Sequence, residues 1–376
     1  MTIHERERPR PNPTDGQIGL RVNGKEYGGW KTATVTRGIE SGCGSFNLNV
    51  SEKWGTETEH WPIYEEDECV VVIGRKKLIT GYVDRRNPSF TATSHGLTLT
   101  GRDKVGDLVD CSANPALDKW EFKGVSVLQF AKKVAAPYGI SVTLQGGLTD
   151  SVLPAPPKKL VIDPGDTAFT AIERACRMAG LLPVSDGLGG LVLTRAGTER
   201  TDTEIVQGEN MLAGDGDFNA AERFRHYHVL GQHRGTANFN GVSAAPPRGT
   251  AEDTHVRRTT RTMIIRPECA VTKDYAKKRA QWEATTRAAR ADAVTATVQG
   301  WTQKSGLLWP VNALVRVRSQ KLGIKGDMLI TQATYRIGEQ EGTTTELTLK
   351  RPDAFKPEPT IQPSSEGAYK ELARGV

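Results

Sequence analysis

Apolar residues fall on alternate positions through most of the first hundred residues, the pattern of strands with one face buried. Ile18, Leu20 and Val22 alternate in this way and stop at Asn23-Gly24, a tight-turn dipeptide. Thr32–Thr36 and Phe46–Val50 continue the period of two, followed by Cys69–Ile73, Leu78–Val83 and Leu97–Thr100. Short strands at this spacing, with turns between them, predict an antiparallel barrel or sandwich.

The same order returns near the end. Val294–Val298 corresponds to Phe46–Val50, Ala313–Val317 to Cys69–Ile73, Met328–Tyr335 to Leu78–Val83, and Leu347–Leu349 to Leu97–Leu99. The interval from Val50 to Trp61 equals that from Val298 to Trp309, and each tryptophan opens a Trp-Pro pair. Shared Leu-Ile-Thr and Leu-Thr-Leu triplets reinforce the match. Chance reuse of Val, Leu and Thr would not place two Trp-Pro pairs in register, so the pattern reads as an internal duplication.

Between the copies the period changes to that of helices. Val127, Phe130, Ala131 and Val134 share one face between Ser126, a candidate N-cap, and Gly139, a stop. A second helix carries Phe169, Ile172, Ala175 and Cys176 on one face behind Asp166 or Thr167. Each precedes a strand: Ser141–Leu144 after the first, Leu182–Val184 and Leu191–Thr194 after the second. A further helix is expected over about 273–293, capped by Thr272, after a Gly-, Ala- and Pro-rich loop from Gly235 to Thr250.

The fold class is therefore mainly β with an α+β insertion: two similar antiparallel β-barrel domains flank a small α+β domain. The expected divisions are a flexible arm at 1–16, a first barrel at 17–110 and an α+β domain with a duplicated helix–strand unit at 111–208. A second barrel at 209–356 and an extended tail at 357–376 complete the chain.

Composition narrows the function classes. With 25% charged and 37% hydrophobic residues the 376-residue chain is an ordinary globular one. No apolar run approaches the roughly 20 residues of a membrane span, and Met1–Pro13 lacks a signal-peptide core, so membrane insertion is not expected. Cys43, Cys69, Cys111, Cys176 and Cys269 are scattered without a CxxC pair, which fits reduced thiols. The net charge of +6 is mild and does not require nucleic acid.

Candidate chemistry is sparse. No P-loop, dinucleotide fingerprint or HExxH motif occurs. Gly42-Cys43-Gly44-Ser45-Phe46 lacks the final glycine of a nucleophile elbow. Ser94 and His95 are strand neighbours and point to opposite faces. Asp215, Asp217 and Asn219 start like a calcium loop, but His226 stands where the closing acid belongs and Ala220 where the glycine does, leaving an ordinary polar loop. His226 and His228 share a strand face near His233 without a further ligand at motif spacing. The helix at 273–293 carries Lys273, Lys277, Lys278, Arg279, Arg287 and Arg290 around an alanine stripe. It reads either as a basic binding face or, preferably, as a solvated face whose stripe packs on the barrel. No catalytic, cofactor-binding or metal-binding residue is assigned, and no cofactor is expected.

One resemblance draws these features together. The run from Trp61-Pro62 through Leu78-Ile79-Thr80-Gly81-Tyr82-Val83-Asp84 to Leu97-Thr98-Leu99-Thr100-Gly101-Arg102-Asp103 resembles the baseplate hub proteins of Mu-like contractile-tailed phages. Leu108-Val109-Asp110, Val229-Leu230-Gly231-Gln232 and Leu349-Lys350-Arg351-Pro352-Asp353-Ala354-Phe355 extend it over about 17–355. The resemblance implies a non-enzymatic virion protein of the tail baseplate, assembled in the host cytoplasm as a homotrimer. Its partners would be the central spike, the tail tube and other baseplate proteins, its paired barrels forming a pseudo-sixfold ring. The rival readings are a nucleic-acid-binding protein with OB-like barrels and a basic helix, and a cell-wall hydrolase. Few aromatics lie near the Lys and Arg clusters, which weighs against the former.

Overall fold

A computed structural model describes residues 17–52, 62–92, 95–113, 119–153, 159–231, 248–267, 272–338 and 342–359. The expected arm at 1–16, most of the expected tail, Trp61, Ser94, His233, Cys269 and most of the loop from Gly235 lie outside the described residues.

The protein is mainly β. The first part of the chain folds as β1 (Ile18–Val22), β2 (Lys25–Tyr27), β3 (Thr32–Gly38), β4 (Ser45–Glu52), β5 (Glu68–Ile73), β6 (Lys76–Phe90) and β7 (His95–Asp103). The middle comprises α1 (Gly106–Asp110), β8 (Glu121–Lys123), α2 (Val127–Ala135), β9 (Val142–Leu144), β10 (Lys159–Val161), α3 (Ala168–Met178), β11 (Leu182–Ser185) and β12 (Leu191–Thr194). Then follow β13 (Ile205–Val206), β14 (Met211–Phe218), β15 (His226–Leu230), β16 (Arg248–Glu252), β17 (Thr262–Ile265) and α4 (Lys273–Arg290). The last strands are β18 (Asp292–Gln299), β19 (Leu314–Ser319), β20 (Ile324–Gly338) and β21 (Gly342–Lys350).

The duplication is written in the strand order. One half runs β3-β4-β7-β6-β5 and the other β14-β18-β21-β20-β19, each strand of one matched in turn by a strand of the other. A bulge falls at Asp84 in β6, between Val83 and Arg85, and another at Thr331 in β20, between Ile330 and Gln332. Counting from the bulges, Arg86 sits opposite Leu99 and Ala333 opposite Leu347. Leu99 in turn faces Leu48, and Leu347 faces Ala296. This register keeps Val50 equivalent to Val298 but makes Leu99, not Leu97, the counterpart of Leu347. The Leu-Thr-Leu triplets are thus two residues out of step and the Leu-Ile-Thr triplets four, because short apolar triplets recur on any strand with a buried face.

Two separate barrels were expected from the alternation. Among the described residues the pairings instead form one thirteen-stranded sheet with an open path, β14-β18-β21-β20-β3-β4-β7-β6-β5-β1-β2, with β19 and β13 attached at β20. Periodicity reports which face of a strand is buried, not what lies along its edge, and the edge of β3 is taken by β20 of the other half. One apolar core accordingly runs beneath both halves, from Ile18 and Leu48 to Ala333 and Leu349.

Helices α2 and α3 pack with β9, β11 and β12 over a second core built on Phe130, Ile172 and Leu193. Ser126 closes a reciprocal capping box with Gln129, and Thr167 caps α3. The chain also forms a small unit that the alternation did not foreshadow: α4 lays Ala276, Ala280 and Ala284 on β15 and its neighbours β16 and β17. The alanine stripe therefore packs on this three-stranded sheet and not on the large one. Gly249 in β16 allows the close approach, since a Cβ there would lie 2.0 Å from the Ala276 carbonyl carbon.

Candidate assembly interface

The seam between the two halves is built like the interior of a single sheet. Strand β20 is fifteen residues long. Along one edge it pairs first with β19, through Leu329, and then with β3, from Gln332 to Ile337. The Ile39 amide donates to the Thr331 carbonyl at 2.9 Å where the edge changes hands. Ala33, Val35, Ala333 and Tyr335 are buried on the core side, and the Tyr335 hydroxyl donates to the Trp309 carbonyl. On the other side Thr36 and Thr334 bring their hydroxyls to 3.3 Å, and Lys350 meets Glu40 at 2.7 Å. Backbone ladder, core and charge pair all hold one half against the other.

Among the described residues the equivalent positions, on strand β14 and on the part of β6 beyond β5, are open. Strand β6 is also fifteen residues long, pairs with β5 through Tyr82, and continues to Phe90 with only β7 beside it among the described strands. At the far end β14 has only β18 beside it among the described strands. Its Asp215 and Asp217, expected in a polar loop, are strand residues whose side chains are exposed. Glycine and aspartate lower β-propensity, and the ladder to β18 overrides it. Phe90 is 82% and Phe218 54% exposed, large apolar surfaces at the two open edges.

Burial pushes the Cys43 thiol up to about 11, opposite to the shift that activates a nucleophile. His226 and His228 stack at 6.4 Å, with His226 Nδ1 3.5 Å from Glu252 Oε1. Among the described residues no group of three or more His, Cys, Asp and Glu could hold a metal. On α4, Arg279 and Arg287 flank the buried Glu283 at 2.9 and 2.8 Å, so these arginines neutralise an internal acid. Arg279 also pairs with Glu358, and Arg287 with Glu222 at 3.0 Å.

Sequence reading missed the joint between the α+β unit and the large sheet. Asp103, at the end of β7, is 2% exposed. Its carboxylate accepts from the Gly44 amide at 2.6 Å, the Val105 amide at 3.0 Å and the Ser185 hydroxyl at 2.6 Å. Ser185 in turn accepts from the Gly187 amide at 3.0 Å, and the Thr80 amide donates to the Gly187 carbonyl at 2.7 Å. The Gly-Arg-Asp at the end of a strand was the available signal, but nothing in its spacing names Ser185 as the partner.

Comparison with known proteins agrees with this architecture. Residues 17–103 match the N-terminal family model of Mu phage baseplate assembly protein GpP-like proteins. Residues 105–195 match the second domain of baseplate hub protein gp44-like proteins, and 272–358 the fourth domain of Mu phage baseplate assembly protein GpP. The chain is 34% identical to baseplate hub protein gp44 of Escherichia phage Mu, over 90% of this chain and 88% of that one. The crystal structure of the 43 kDa tail protein of prophage MuSo2 from Shewanella oneidensis is similar with a TM-score of 0.78 and 30% identity, covering 91% of this chain and 99% of that one. The tail protein from Neisseria meningitidis MC58 gives 0.74 and 25%, covering 92% and 100%. A mainly β chain with two repeats of one strand order, matched along nearly its whole length, belongs to the baseplate hub proteins of Mu-like phages.

Proposed function

We propose that this protein is the non-enzymatic structural hub of a contractile tail baseplate: a homotrimer whose six repeats form a pseudo-sixfold ring joining the tail tube to the central spike. The observation that carries the reading is the seam between β20 and β3. It joins two like units head to tail and leaves a strand edge open at each end, the arrangement from which heterologous contacts close rings. Three copies would supply a nearly sixfold face toward a tube, while the α+β unit and the α4 unit, present in different surroundings on the two halves, keep a threefold face toward a spike.

In this reading 17–110 and 209–356 are the ring-forming parts, 111–208 is the inserted domain, and the barrel is completed by assembly instead of within either half. Interfaces of this kind are broad and use backbone ladders and rim charges more than pockets. The nucleic-acid alternative is weakened by the pairing of Arg279 and Arg287 with Glu283. Negative-stain electron microscopy of the purified full chain is expected to give rings with threefold symmetry and six similar lobes. Particles the size of one chain would defeat the proposal.

A further inference from the structure

The internal seam specifies a second seam between copies. By the bulge register, residues 85–90 are equivalent to 332–337. Through the β4 and β18 ladders, 214–219 are equivalent to 33–38. The segments 332–337 and 33–38 pair with each other, and their equivalents are the two open edges. We propose that β6 of one copy pairs antiparallel with β14 of the next, placing Arg86 opposite Phe218, Asn87 opposite Asp217, Pro88 opposite Gly216, Ser89 opposite Asp215 and Phe90 opposite Gly214. The inference rests on the ring reading and names the contact that closes it.

Backbone direction supports this register. The bond from the Ile39 amide to the Thr331 carbonyl makes Gln332 and Gly38 a non-hydrogen-bonded pair, so 333, 335 and 337 bond to β3. Their equivalents, Arg86, Pro88 and Phe90, turn their backbone groups to the open edge of β6. The bond from the Asn219 amide to the Ala291 carbonyl likewise leaves Gly214, Gly216 and Phe218 facing outward from β14. The two open edges therefore present complementary groups at the paired positions. Pro88 faces the open side, where its missing N–H leaves the β7 ladder whole and makes one rung of the new ladder single.

Side-chain chemistry agrees. The core-side seam positions Ala33, Val35 and Tyr335 are buried, whereas at the open edges Phe218 and Phe90, the counterparts of Arg37 and Ile337, are exposed. Pairing sets the Phe90 ring over Gly214 and covers both aromatic rings. On the opposite side, the Thr36–Thr334 contact is replaced by Asn87 against Asp217, with Arg85 diagonal to the same carboxylate. The cations stand on one edge and the acids on the other, which favours a head-to-tail contact over a like-to-like one.

The test is a pair of cysteines in the full chain. Residues 87 and 217 fall at a non-hydrogen-bonded position, where Cα atoms lie about 4.5 Å apart, within disulfide reach. Differently tagged Asn87→Cys and Asp217→Cys chains are co-expressed, oxidised and run without reductant, with each variant alone as the control for native thiols such as the exposed Cys111. The expected result is a disulfide dimer carrying both tags, at least tenfold above either variant alone, with the 87–217 peptide found by mass spectrometry. An assembly of oligomeric mass without that cross-link overturns this strand pairing and leaves the ring standing. Equal cross-linking in the single variants overturns it as well. A chain that stays monomeric defeats the ring and this seam together.

Discussion

Replacing Gly81 by alanine is expected to abolish the folded protein. Gly81 lies in β6 opposite Asp103 of β7, and a Cβ there would fall 1.8 Å from the Arg102 carbonyl oxygen and 2.6 Å from the Asp103 Cα. Both neighbours are backbone, so no side-chain rotation relieves the overlap. The strands would have to part beside the bulge that sets the register of the first half. The expected cost is at least about 4 kcal/mol, in the range that only overpacking, buried charge and comparable defects reach. For a domain near the lower end of the usual range of about 5–15 kcal/mol this removes most of the margin. Soluble yield and thermal melting measure it directly; a Gly81→Ala chain that melts within a few degrees of the parent would refute the close approach.

The second large effect is at Asp103. Alanine there strands the Gly44 amide, the Val105 amide and the Ser185 hydroxyl in the interior. At about 1–3 kcal/mol for each buried unsatisfied group, a loss of at least about 3 kcal/mol is expected. The joint between the α+β unit and the sheet should open first, seen as faster amide exchange at Gly44 and Gly187. Asparagine separates charge from connection. Burial is the main cause holding the Asp103 carboxyl above its ordinary value, so the folded protein binds its proton more readily than the unfolded chain. That contribution is complete below the unfolded value of about 3.9 and is lost as pH rises through the folded one. The penalty of Asp103→Asn, read from urea midpoints, should therefore be larger near about pH 4 than near about pH 7. A penalty that grows with pH would contradict the assignment.

What the sequence made legible follows from what periodicity encodes. Phe46–Val50 and Leu191–Thr194 are strands because alternating or continuous apolar residues bury a face, and the helices behind Ser126, Thr167 and Thr272 begin at those caps. Strand β6, by contrast, was expected to stop at Val83 and continues to Phe90. Asp84-Arg85-Arg86-Asn87-Pro88 carries no buried face and lies at an open edge. Asp215 and Asp217 of strand β14 read as part of a polar loop for the same reason. The two segments that matter most for the proposed assembly are thus the ones whose side chains have no core to face within one copy. The unit of α4 with β15, β16 and β17 was hidden differently: its core is mostly alanine, and Gly249 makes room for it.

The duplicated strand order is what would let one chain supply two positions in the proposed ring. It also explains why the sheet stops where it does. Within a copy the seam forms once, between β20 and β3, and its equivalent is split between strand β14 and the part of β6 that runs beyond β5. In the proposed ring the contact between copies would be made by backbone edges, two exposed phenylalanines and charges of opposite sign.

The most direct test of the central claim is the mass of the full chain in native mass spectrometry at micromolar concentration. The account predicts a single species three times the chain mass. A monomer that persists across that concentration range, or a symmetric dimer, would contradict it.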